Sequence, residues 1–271
     1  MSTETSRNSA QGTAVVTGAS SGLGKVYADR LAKRGYDLIL IPRRGDRLHE
    51  LARQLRRDQG VTVETLVADL GNPADLKQVA DGIAANHRIT MLVNNAGTSK
   101  FAPSTQVPLA DVDQQLDVNS KALTHLSLAV LPGFKERNRG TIINIGSVLS
   151  FYVIPNTAAY SGTKGQVMLF TLGLQQELAG TDVIIQLVLP AATATEIWDV
   201  AGVGLKALDP STIMTAEDCV DAALAGLDRG ETVTLPSVDD PQLWATFNDA
   251  RLKLFAASQT GKPATRYGIS R

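Results

Sequence analysis

The 271 residues, 44% hydrophobic and 20% charged, are an ordinary balance for a soluble globular chain with a sizeable core. A formal net charge of −1 offers no field for nucleic acid or an anionic membrane surface. One cysteine, Cys219, excludes an intramolecular disulfide framework, and His49, His87 and His125 lack metal-ligand spacing, so no metal site is expected. From the N-terminus, Met1–Gln11 is rich in Ser and Thr, carries Glu4 and Arg7 and has no apolar centre. That predicts a disordered tail over 1–11 and not a signal peptide. No apolar run approaches membrane-spanning length, which points to a cytoplasmic protein. Short apolar runs predict strands at Thr13–Thr17, Asp37–Ile41, Thr62–Val67, Thr90–Val93, Gly140–Ile145 and Asp182–Leu189. Helical patterns lie between them at Gly22–Arg34, Asp46–Asp58, Pro73–Asn86, Leu109–Asn138 and Ala158–Ala179. A loop of small residues follows over Ala191–Thr212, then a helix at Ala216–Arg229 and a short strand at Thr232–Leu235. Leu243, Phe247, Ala250 and Leu254 recur at helical spacing and predict a late amphipathic helix.

The strands are near-continuous in Val, Ile and Leu, as strands covered on both faces are. With the alternating helices they predict an α/β fold, a Rossmann-type doubly wound parallel sheet of about seven strands. The first turn is the informative one. Gly18, Gly22 and Gly24, with Ser20 and Ser21, stand between a buried strand and a helix start. A helix N-terminus offers unpaired N–H groups and partial positive charge, and glycines let a pyrophosphate approach the backbone. No Gly-Lys-Ser/Thr ending follows, which argues against an ATP or GTP P-loop.

Thr17-Gly18-Ala19-Ser20-Ser21-Gly22-Leu23-Gly24 resembles the cofactor loop of the short-chain dehydrogenase/reductase family. Asn94-Asn95-Ala96-Gly97 resembles its second motif, and Tyr160-Ser161-Gly162-Thr163-Lys164, with Ser147 upstream and Asn119, its catalytic segment. The resemblance runs from Thr13 to Ile197, and the motifs occur in the family's order. Singly, each residue has an ordinary structural use: Ser147 closes a strand, Asn119 satisfies a helix bend, Tyr160 packs and Lys164 is solvated. Together they point to chemistry. Tyr160 and Lys164 share a helix face, and an ammonium there is expected to lower the phenol from its usual ~10. Tyr160 then exchanges a proton with a carbonyl or hydroxyl oxygen that Ser147 also hydrogen-bonds. The resemblance implies that Asn119 holds a water in a relay behind Lys164.

Hydride transfer needs a nicotinamide. The resemblance assigns Gly18, Ser20, Ser21, Gly22, Leu23 and Gly24 to the pyrophosphate, Asp69 and Leu70 to the adenine, and adds Asn95, Ala96, Gly97, Tyr160 and Lys164 to the cofactor site. The second strand ends Ile41-Pro42-Arg43-Arg44 with no acidic residue to bind ribose hydroxyls. Guanidinium forks suit a 2′-phosphate, so NADP(H) is favoured over NAD(H), with Arg43 and Arg44 as ligands. Arg47 extends this basic stretch, whereas Arg53, Arg56 and Arg57 read as a solvated helix face. Pro190, Thr193 and Thr195 match the segment that clasps the nicotinamide amide, but Ala191 stands where the family has glycine, a hindrance if that position needs positive φ.

Leu149, Phe151, Tyr152, Ile154, Pro155, Trp198 and Leu205 are candidates for an apolar substrate pocket. The expectation is one dinucleotide-binding catalytic domain over 12–271, with a substrate loop at about 191–212 and a C-terminal helix and tail at about 240–271. It would interconvert an uncharged, moderately apolar ketone or aldehyde with its secondary or primary alcohol. The alternatives are a non-catalytic NADP(H) sensor or scaffold, and a 3-oxoacyl thioester reductase. The resemblance further implies a homodimer or homotetramer through the helices at Leu109–Asn138 and Ala158–Ala179, where Ala159, Gly162 and Gly165 permit close approach.

Overall fold

The computed structural model describes residues 11–45, 48–205 and 208–269. The tail expected over 1–11 lies outside these apart from Gln11, as do Asp46, the expected start of the second helix, and Arg47 of the basic stretch. The strands are β1 (Thr13–Thr17), β2 (Asp37–Ile41), β3 (Val63–Thr65), β4 (Ile89–Asn94), β5 (Gly140–Ile145), β6 (Val183–Val188) and β7 (Val233–Thr234). They form one parallel sheet in the order β3-β2-β1-β4-β5-β6-β7. The helices are α1 (Gly22–Lys33), α2 (Leu48–Gln59), α3 (Pro73–Ala85), α4 (Leu109–Gln115), α5 (Leu123–Glu136), α6 (Ala158–Glu177), α7 (Ile197–Ala201), α8 (Ala216–Asp228) and α9 (Gln242–Ser258).

Alternation along the strands builds two cores. Ala14, Val16, Leu38 and Leu40 pack with α1, α2 and α8 through Tyr27, Leu31, Leu55 and Leu224. Val15, Ile39 and Leu92 face the other way, toward Leu76 and Ile83 of α3 and Leu126 and Phe134 of α5. The central strands β1, β2 and β4 are therefore apolar on both sides, which is why they read as near-unbroken hydrophobic runs. The chain moves outward from β1 to β3 and then returns to place β4 on β1's free side. The connections leaving β1 and β4 diverge there, and a crevice opens beyond the carboxyl ends of the strands.

Two expectations are corrected, on β3 and on the long helix. The edge strand β3 is shorter than Thr62–Val67, because only β2 pairs with it, and Val67 is exposed. The helix expected over Leu109–Asn138 is interrupted by a π-helical segment at Leu116–Ala122. Residues to Ser237 form one compact unit; the second, from Val238, is built on α9, of which no residue is buried. Leu243, Leu252, Leu254 and Phe255 are exposed, so the helical spacing is present without a core behind it. No helix among the described residues is long and apolar enough to cross a membrane.

Tyr27 carries a hydroxyl buried in the first core with no hydrogen-bond partner among the described residues, and burial pushes its ionisation far up. Tyr27→Phe removes an unsatisfied polar atom at nearly constant volume. It is expected to raise unfolding stability by about 1 kcal/mol in chemical denaturation, and a loss of stability would show the hydroxyl to be satisfied.

Candidate active site

The turn after β1 is stitched to the turn after β4. The Thr17 hydroxyl oxygen accepts from the N–H groups of Asn95 (3.0 Å) and Ala96 (2.9 Å). The Asn95 amide donates back to the carbonyls of Thr17 (2.9 Å) and Gly18 (3.2 Å). Gly18 sits at φ +64° and Gly22 at +52°, where a side chain is strained. A Cβ on Gly24 would collide with the Gly18 carbonyl, so this glycine lets α1 pack against the turn. Ser21 caps α1 without a side-chain hydrogen bond, and the first turn carries no acidic residue. The helix start is thus left open to an anion.

These turns border a cavity of about 450 Å³ beyond the sheet's carboxyl edge. Gly18, Ser20, Ser21, Gly22 and Leu23 line it from the turn after β1 and the start of α1, Arg43 and Arg44 from the segment after β2, and Asp69 and Leu70 from the segment after β3. Asn95, Ala96 and Gly97 follow β4, Ser147 follows β5, Tyr160 and Lys164 come from α6, and Pro190, Thr193 and Thr195 follow β6. Of the residues predicted for the site, only Gly24 and Asn119 stand behind this wall. Arg43 and Arg44 are exposed and have no carboxylate partner among the described residues. The donor set suits a dinucleotide: an open helix start, close backbone approach at glycine, and two uncommitted guanidinium groups.

Tyr160 and Lys164 lie one helical turn apart and are both buried. The Lys164 ammonium is 5.8 Å from the Tyr160 ring centroid and donates to the Ile145 carbonyl at 2.8 Å. Ser147 hydrogen-bonds the Tyr160 hydroxyl, and its own oxygen accepts from the Leu149 N–H at 3.1 Å. That second bond caps the short 3₁₀ turn Val148–Ser150 and fixes the serine. The expected lowering of the phenol is corrected. Burial pushes Tyr160 up to about 12, against an opposing effect of the Ser147 bond. Burial also lowers Lys164 to about 8. Desolvation dominates both shifts because both groups are enclosed. At neutral pH Tyr160 is a protonated donor beside a charged lysine.

Asn119 lies in the π-helical segment, a feature common at functional sites. Its amide oxygen accepts from the Thr98 N–H (2.8 Å), and its nitrogen donates to the Thr98 carbonyl (2.9 Å) and the Thr163 hydroxyl (3.1 Å). The side chain thus clamps the loop after β4 to α6. Ala191 costs no strain: among the described residues, only Asn138 and Asn156 are non-glycines at positive φ. The Cys219 thiol is buried, hydrogen-bonds Thr193 and is pushed up to about 11, which makes it a packing group rather than a nucleophile.

On the apolar side, Leu149, Ile154 and Trp198 line the cavity, as predicted. Phe151, Tyr152, Pro155 and Leu205 do not, and the first three are exposed. Phe101 was missed. Its ring meets Tyr160 at 5.5 Å and Trp198 at 6.1 Å, both edge-on. The available signal was its place four residues after Gly97, on the loop that leaves β4 into the same crevice.

A family model described as short chain dehydrogenase matches residues 12–202. A very-long-chain 3-oxoacyl-CoA reductase of Anas platyrhynchos is 34% identical over 207 residues, 75% of this chain, which spans only 66% of that relative's length. A short-chain dehydrogenase of Sphingobium yanoikuyae, solved in complex with NADPH, superposes with a TM-score of 0.91 at 40% identity over 94% of this chain and 100% of the other. A bulky-bulky ketone specific alcohol dehydrogenase of Comamonas testosteroni gives 0.87 at 35% identity over 94% and 98%.

Proposed function

The chain belongs to the short-chain dehydrogenase family, and from that premise we propose an NADP(H)-dependent oxidoreductase that interconverts an uncharged carbonyl compound and its alcohol. The observation that carries this reading is the juxtaposition of a buried, protonated Tyr160, bonded by Ser147 and backed by Lys164, with a glycine-turn helix start on the same cavity. Gly18–Leu23 would hold the pyrophosphate, Asp69 and Leu70 the adenine, and Pro190, Thr193 and Thr195 the nicotinamide amide. The bound nicotinamide would supply the hydride that adds to the carbonyl carbon.

The chain's own residues handle the proton. Tyr160 donates its hydroxyl proton to the carbonyl oxygen as negative charge develops there. Ser147 donates a second hydrogen bond to the same oxygen. Lys164, charged below about pH 8, stabilises the phenolate that Tyr160 leaves behind. A sensor or scaffold would have no use for this constellation. The 3-oxoacyl thioester alternative draws support from the Anas relative, and it predicts faster turnover of such thioesters than of plain ketones.

Arg43 and Arg44 support the NADP(H) preference, being exposed, uncommitted and on the cavity wall. Charge-assisted hydrogen bonds to a 2′-phosphate set the scale. Replacing both by Ala is expected to weaken NADPH binding about tenfold or more in a fluorescence titration, with NADH binding within about twofold of wild type. Equal loss for both cofactors would remove the assignment.

A further inference from the structure

Phe101 stands where three segments converge. Its backbone N–H donates to the Ala201 carbonyl of α7 at 3.2 Å. The next N–H, of Ala102, donates to the Asn156 carbonyl at 3.0 Å, on the loop that carries Ile154. Ser99 adds a hydroxyl bond to the Ile197 carbonyl at 3.2 Å. Backbone bonds on both sides hold the Phe101 main chain, and the edge contacts with Tyr160 and Trp198 place its ring. Trp198 is fixed as well, because its indole N–H donates to the Thr193 carbonyl at 2.8 Å. The two rings meet edge to face, and Phe101 meets the Tyr160 ring in the same way.

An apolar slot therefore begins at the proton donor. Tyr160 and Ser147 are its polar end, and Phe101, Trp198, Leu149 and Ile154 are its apolar walls. Arg43, Arg44 and Lys164 are the only cations on the cavity wall among the described residues. The two arginines follow β2 and the lysine backs Tyr160, so no cation stands in the slot to recognise a carboxylate, sulfonate or phosphate on the substrate.

We propose that Phe101 is the specificity-determining residue of this site, and that with Trp198 it selects carbonyl compounds bearing a flat aromatic substituent on the carbonyl carbon. The proposal rests on the oxidoreductase reading above and deepens it. Fixed aromatic edges and faces reward a planar ring and give less to a puckered ring of the same carbon count. Because the rings are held before substrate arrives, the discrimination costs no reordering on binding.

The test compares acetophenone with cyclohexyl methyl ketone, which share a carbon skeleton but differ in the planarity and conjugation of the ring, in wild type, Phe101→Leu and Phe101→Ala; the change of the ratio between wild type and variant cancels the ketones' intrinsic reactivities. Calorimetric binding of each ketone to the NADP⁺-loaded protein runs alongside kcat/KM for NADPH-dependent reduction. Wild type is expected to favour acetophenone about tenfold, and Phe101→Leu to cut that ratio about fivefold by removing the ring while keeping an apolar side chain. Phe101→Ala extends the series, and the Leu variant keeps the test valid should Ala disturb the fold. A wild-type ratio near one, or a ratio unchanged in Phe101→Leu, overturns the proposal. If neither ketone turns over, the oxidoreductase reading fails for these carbonyls, and the binding ratios decide Phe101's role separately. Tenfold tighter acetophenone that is lost in Phe101→Leu upholds it; equal or undetectable binding of the two ketones overturns it.

Discussion

Tyr160→Phe is expected to lower kcat for NADPH-dependent carbonyl reduction by about 10²–10⁴-fold, the scale of a positioned general acid. The substitution removes one oxygen and little else. The Phe ring keeps the edge contact with Phe101 and the ammonium of Lys164 over its face. Ser147 loses the hydroxyl it bonds, yet its oxygen still accepts from the Leu149 N–H, so the short 3₁₀ turn stays capped. Folding should therefore match wild type, and the NADPH affinity, read separately, tells how much of the loss is cofactor binding. The measurement is steady-state reduction of an aryl ketone beside a fluorescence titration with NADPH. Residual activity above about a tenth of wild type would put the proton donor elsewhere.

Lys164→Met is expected to lose activity and gain stability together. An ammonium buried on α6 bonds a single carbonyl, that of Ile145, and burial holds it at about 8 against an ordinary 10.5. That difference corresponds to roughly 3 kcal/mol of destabilisation while the group is charged. Methionine fills the volume without charge but leaves the Ile145 carbonyl without its donor, an offset of about 1 kcal/mol. The variant should therefore be about 2 kcal/mol more stable at pH 7. The pH dependence follows from proton counting. Between about pH 8 and 10.5 the unfolded chain holds a proton that the folded Lys164 has lost, so this group makes wild-type stability rise with pH there. The variant's advantage is thus full below about pH 8 and falls away toward 10.5, where only the cost of the lost Ile145 bond remains. Denaturant unfolding at pH 7 and at pH 10 reads this, and a less stable variant at pH 7 would contradict it. Wild-type reduction should likewise decline above about pH 8, as Lys164 discharges.

Much of this molecule was legible before any coordinates. β1, β2 and β5 fall at their predicted bounds, because a strand apolar on both faces and closed by turn residues has few other ways to sit. The glycine turn was legible because backbone that must approach another atom closely tolerates no side chain, as the Gly24 collision with the Gly18 carbonyl demonstrates. Features set by neighbours were not legible. The spacing of Leu243, Phe247, Ala250 and Leu254 specified a helix but not what covers it, and α9 buries none of its residues. The break at Leu116–Ala122 could not be placed from spacing alone: Asp117, Val118, Asn119 and Ser120 are weaker helix formers, but what the bend serves is seen only where the Asn119 amide clamps Thr98 and Thr163.

By itself, the sequence determined the alternating α/β order, the turn that suits a dinucleotide and most of the polar residues that border the crevice, since each depends on local spacing and residue type. Tertiary structure alone decided their chemistry. Enclosure raised Tyr160 instead of lowering it, the bends of the chain spared Ala191 a positive φ, and the loop leaving β4 carried Phe101 onto Tyr160. Desolvation and through-space contact depend on what surrounds a residue, and distant parts of the chain supply those surroundings.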